Sequence, residues 1–136
     1  MKPGPSFLTV VFGLMFLSAC QSGTPSQGLN LTSVTRPVIT IAAIGKTIQK
    51  CWFKTGNPIF KPFKMANESN SYAGRPRLLL VPKNNPGGLP KLVIQAEKKN
   101  GVTQIEIFGP LLSSNNGSII AKDLKFWATG NTKCQA

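Results

Sequence analysis

Histidine is missing from this 136-residue chain, and only 4 side chains are Asp or Glu against 16 Lys or Arg. The first absence removes Ser-His and Cys-His nucleophile pairs, histidine general bases and every metal site that needs imidazole. The second leaves a formal charge of +12, which excludes an acidic or neutral protein and points to anionic surroundings or partners. Cys-x-x-Cys, Ser-x-x-Lys, Gly-x-Ser-x-Gly and phosphate-loop patterns are absent too. Gly87-Gly88 lies between prolines and reads as a turn. No cofactor or metal is expected. A hydrophobic share of 41% with 15% charged residues fits a folded chain, and the length allows one domain at most.

The amino terminus reads as an export signal. Met1-Lys2 supplies positive charge, Phe7–Leu17 is an apolar run of 11 residues, and the small residues Ser18 and Ala19 precede Cys20. Such a run spans about 16 Å as a helix, roughly half a hydrocarbon core. Residues 1–19 are therefore expected to be removed.

The four residues Leu17-Ser18-Ala19-Cys20 resemble the lipobox of bacterial lipoproteins. That resemblance implies that the Cys20 thiol carries a diacylglycerol and that Cys20 becomes the acylated first residue. It also favours the outer membrane, since Gln21 follows where an Asp would signal retention at the inner one, with the inner membrane as the alternative. With 3 cysteines in an oxidising compartment, acylation of Cys20 leaves Cys51 and Cys134 as one pair. Multiple acyl chains give stable anchoring where a single chain gives marginal binding. Ile48–Phe53 (IQKCWF) and Gly74-Arg75-Pro76-Arg77 are loosely similar to small lipoproteins of Gram-negative bacteria, a likeness that carries no activity with it.

Residues 20–36 are rich in Ser, Thr, Gly, Gln and Asn and read as the lipidated cysteine and a flexible tether. The domain is expected over 37–136. Pro37–Trp52 has the spacing of a helix, with Ile41, Ile44, Ile48, Cys51 and Trp52 along one stripe. Gly45 weakens that helix or lets another element approach closely. Lys61–Ala66 suggests a short edge strand with Phe63 and Met65 inward, and Arg77–Val81 a buried strand. Leu92–Phe108 predicts a β-hairpin turning at Asn100-Gly101. That register faces Ile94 with Ile107 and Ala96 with Ile105, leaving Gln95, Glu97, Gln104 and Glu106 on the other side. A last helix is expected from a Ser118 cap to Thr129, stopped by Gly130. The expected fold is α+β, a small antiparallel sheet of two to four strands packed with an N-terminal and a C-terminal helix.

Glu97 and Glu106 form the only carboxylate constellation, lying diagonally with β-carbons about 7–8 Å apart. That separation suits an inverting glycosidase, but nothing in the sequence desolvates either group, and a solvated sheet face is the expected reading. The basic excess is expected either to solvate the surface or to bind anionic envelope polymers such as lipopolysaccharide and peptidoglycan, or an envelope protein. Arg75, Arg77, Lys98 and Lys99 are the anion-binding candidates. Nucleic acid is not expected, because export separates the chain from the genome. The expected function is a non-enzymatic outer-membrane lipoprotein, a binding or structural module at the periplasmic face. An inhibitor of a hydrolase such as lysozyme is an alternative, disfavoured by like charge, and a small envelope hydrolase is another.

Overall fold

Isoleucines at 41, 44 and 48 recur at helical spacing, and in the computed structural model all three are buried along one side of α1 (Pro37–Ile48). The structure describes Gly4 and residues 28–69 and 74–136. The expected leader apart from Gly4, the acylated Cys20 and residues 21–27 lie outside them. Helix α1 runs on into a π-helical turn (Gln49–Phe53), closed by Lys54 N–H donating to the Gln49 carbonyl at 3.0 Å. Wider than an α turn, it leaves the adjacent residues Cys51 and Trp52 both buried.

Strands β2 (Phe63–Glu68), β3 (Arg77–Pro82), β4 (Leu92–Lys99) and β5 (Val102–Phe108) form an antiparallel meander. The β4–β5 hairpin has the expected register, with Ile94 opposite Ile107 and Glu97 opposite Gln104. Its turn holds Asn100 and Gly101 at φ 50° and 82°, the left-handed pair that a two-residue hairpin loop requires. β2 is an edge strand, as expected, with Phe63 and Met65 packed against the core.

Two expectations, about the sheet and where the domain begins, are corrected. The sheet has five strands, not two to four, in the order β1-β5-β4-β3-β2. The additional strand, β1 (Leu29–Ser33), comes from within the expected tether and pairs with β5, Leu31 opposite Ile105. The domain thus begins at Leu29, not Pro37. Its alternation explains why: Leu29 and Leu31 pack against the core while Asn30 and Thr32 are exposed.

A short 3₁₀ turn (Pro110–Ser113) leads to α2 (Gly117–Ala128). Ser118 does not cap this helix. Asn116 takes the cap position without a side-chain bond, and Gly117 packs so closely on Leu112 that a Cβ would lie 2.0 Å from its carbonyl oxygen. The helix starts two residues earlier than a Ser118 cap implies, and only glycine fits the contact with Leu112 at its first position.

Both helices contribute to one core on a single face of the sheet, where Leu78, Leu80, Leu92, Ile94, Ala96, Ile105 and Ile107 point. Gly45 allows the closest approach of α1 to the sheet, its missing Cβ lying 3.2 Å from a Leu78 methyl. Trp52 stacks on Phe60 with ring centres 4.1 Å apart and meets Trp127 at 5.2 Å. Cys51 and Cys134 are joined in a disulfide, Cα atoms 5.2 Å apart, which ties the carboxyl-terminal tail to the end of the first helix.

Candidate functional site

Strand alternation sends the remaining side chains to the outer face, away from both helices. Register places Glu68, Arg77, Gln95, Glu106 and Asn30 in one row across all five strands. Within this row Arg77 pairs with Glu68, and Gln95 Nε2–H donates to Glu106 Oε2 at 2.8 Å. Beside it, Arg75 Nη2 lies 3.1 Å from Glu97 Oε2. The fourth carboxylate, Asp123, is buried and accepts from Trp52 Nε1–H at 2.8 Å.

Every carboxylate of the chain is thus engaged by a neighbour. Glu97 and Glu106 do sit diagonally on the exposed face, each with its own partner. A general acid and base across a glycosidic bond need opposed protonation states set by their surroundings. Here one carboxylate meets a guanidinium and the other an amide, at the exposed surface.

The same pairs bear on Arg75 and Arg77, the expected anion-binding arginines. Each guanidinium contacts a carboxylate through one nitrogen, so part of its charge is compensated and only its remaining N–H donors face an incoming phosphate. Lys98 and Lys99, at the end of β4, are exposed and form no ion pair among the described residues. The structure brings these lysines and the Arg75–Glu97 pair to one region, because Glu97 directly precedes them.

Two features escaped the sequence reading. On the outer face an apolar row, Ala66-Leu79-Val93-Phe108, runs beside the polar one and is walled by Pro86, Gly88 and Pro90. Together they bound a groove of about 460 Å³. Alternating Leu79 and Val81 within an unbroken apolar strand gave the available signal, since such a strand has apolar side chains on both faces. The second feature is the outer side of α1. Val38 and Ile39 are exposed there beside Val34, although the apolar stripe read from the sequence faces the core. A helix that is apolar nearly all round, as Val38 to Ile44 is, carries more than one buried stripe's worth of apolar side chains.

Among the described residues, no three side chains of His, Cys, Asp or Glu come together, and no helix is long and apolar enough to cross a membrane. Compared with known protein families, characterised proteins and solved structures, the chain matches none.

Proposed function

We propose that the chain is a non-enzymatic lipoprotein, anchored through Cys20 at the periplasmic face of the outer membrane, that binds an anionic envelope component. The engagement of all four carboxylates carries this reading. Glu68, Glu97 and Glu106 are held by Arg77, Arg75 and Gln95, and Asp123 by a core indole. The carboxylates thereby serve the fold, and the lysine excess stands uncompensated at the surface. A field of that sign draws anionic material and repels basic hydrolases, which disfavours the inhibitor alternative.

Lys98 and Lys99 at the hairpin end are assigned the contact, in place of the paired arginines. Binding of purified lipopolysaccharide, peptidoglycan sacculi and anionic vesicles, read against salt, tests this. Exposed charges are screened over about 8 Å at physiological ionic strength, so binding should fall steeply as salt rises. Binding that ignores salt, or its absence at low salt for all three materials, would refute the reading.

A further inference from the structure

Four of the seven exposed large apolar side chains, Val34, Val38, Ile39 and Val102, collect at the end that carries Lys98 and Lys99. Register fixes that geometry. Ser33, the last residue of β1, lies opposite Thr103, and Thr103 lies opposite Lys98, so β1 ends two strand spacings, about 10 Å, from the hairpin lysines. Thr103 Oγ1–H donates to the Thr35 carbonyl at 2.6 Å and pins the β1–α1 connection to the hairpin. At this end Val34 is 96% exposed, Val38 51%, Ile39 45% and Val102 38%. Arg36 is exposed between them.

The apolar surface continues along the outer side of α1. Two shallow hollows of about 350 and 410 Å³ share Ile39 and Ala43 and so adjoin. Along this stripe the amino-terminal half presents Val38, Ile39, Ala42 and Ala43, and the carboxyl-terminal half presents Lys46 and Lys50. Glu97 is the nearest carboxylate in the register, and Arg75 already occupies it.

We propose that this end of the domain docks on the anionic phospholipid surface of the membrane, with Val34, Val38, Ile39 and Val102 entering the headgroup–acyl boundary. Arg36, Lys46, Lys98 and Lys99 meet lipid phosphates around them. The proposal rests on the preceding reading and names its anionic component. Three observations choose this occupant. Charge is complementary, since an apolar patch rimmed by cations matches an anionic interface, while a second copy of the chain would bring cation against cation. Shape agrees: a side chain as protruding as Val34 suits insertion into a soft interface. The linkage agrees too, because the eight residues between Cys20 and Leu29 allow a reach of about 30 Å, beyond the length of the five-residue β1. An anchored domain meets the bilayer at high effective concentration, so weak intrinsic affinity suffices.

The test uses residues 20–136 carrying Cys20→Ser, which include every strand and helix described, against vesicles of phosphatidylglycerol with phosphatidylcholine and of phosphatidylcholine alone. Flotation should show binding to the anionic vesicles only. Val38→Asp with Ile39→Asp should weaken it about tenfold or more, and Val34→Ser, at a position with no packing to lose, should weaken it measurably in a chain that folds normally. Lys98→Ala with Lys99→Ala should weaken it as well. Unchanged binding of both apolar variants would overturn the proposal, and so would a dimer that buries Val38 and Ile39. Binding to lipopolysaccharide or sacculi but not to vesicles would overturn it in favour of a polymer. Intact mass of the wild-type chain from envelopes reads acylation separately. Acylated wild type without vesicle binding removes the docking surface and keeps the anchor; unacylated wild type with vesicle binding supports the surface and removes the anchor.

Discussion

The indole Nε1–H of Trp52 donates to Oδ2 of Asp123 at 2.8 Å, joining the π-helical turn to α2 across 71 residues of sequence. Both residues are buried, and Trp52 also stacks on Phe60. Losing one partner of a buried hydrogen bond leaves the other unsatisfied, at a cost of about 1–3 kcal/mol. Asp123→Ala should lower unfolding free energy by that amount, measured by urea titration of tryptophan emission. Asp123→Asn, whose amide oxygen still accepts, should lose distinctly less. Equal losses would show that the indole needs no acceptor there.

The Cys51–Cys134 disulfide closes a loop with a sequence separation of 83. Chain-entropy arithmetic puts its contribution at about 4.5 kcal/mol. The carboxyl-terminal tail it holds has no regular structure of its own, and one further tie is Trp127 Nε1–H donating to the Lys133 carbonyl at 2.9 Å. Non-reducing peptide mapping should recover Cys51 and Cys134 as one linked species, and Cys134→Ala should lower the urea midpoint strongly. Free thiols at both positions in exported protein would contradict this.

Elements whose pattern is local were legible in the sequence. The hairpin register followed from Asn100-Gly101 and the alternation of Ile94, Ala96, Ile105 and Ile107, because turn chemistry and burial demand the same pairing. The first helix followed from Ile41, Ile44 and Ile48. β1 was hidden because its residues Asn30, Thr32 and Ser33 share the composition of a tether, and its only signal is Leu29 with Leu31. An edge strand of that kind owes its existence to the neighbour it pairs with, which no local pattern reports. The arginine pairs were hidden for the same reason: Glu68 and Glu97 reach Arg77 and Arg75 only through cross-strand geometry.

Two glycines make contrasting predictions. Gly109 adopts φ 132°, and a Cβ there would lie 2.6 Å from the Lys91 carbonyl oxygen. Backbone cannot yield at that distance, so Gly109→Ala should cost about 2 kcal/mol or more. A Cβ at Gly45 would meet only the tip of Leu78, at 3.2 Å. There the roughly 1 kcal/mol gain in helix propensity opposes a small repacking, so Gly45→Ala should be close to neutral. Thermal unfolding of both variants measures the difference, and equal losses would refute the distinction.

Anchoring is tested at Cys20. Cys20→Ser should abolish incorporation of labelled fatty acid and block processing by the lipoprotein signal peptidase, leaving a precursor of higher mass. Unchanged membrane retention with a normal mature mass would sink the lipoprotein reading, whatever the fate of the docking surface.

The last prediction separates paired from unpaired cations. Arg75→Ala with Arg77→Ala removes the same formal charge as Lys98→Ala with Lys99→Ala, so the long-range field changes equally in both variants. At contact range they differ. The guanidinium groups are already held by Glu97 and Glu68, whereas the lysines are exposed and without ion pairs among the described residues. Binding of anionic material should therefore fall more with the lysine pair, and its salt dependence should flatten more. Stability should behave in the opposite way: the arginine variant loses two half-exposed ion pairs, each worth up to about 1 kcal/mol, and the lysine variant loses none. Binding titrations at two salt concentrations, run beside urea melts, read both effects in the same proteins. A larger binding loss from the arginine pair would show that the ligand reaches the guanidinium groups beside Glu97 and Glu68, and would return the contact to Arg75 and Arg77.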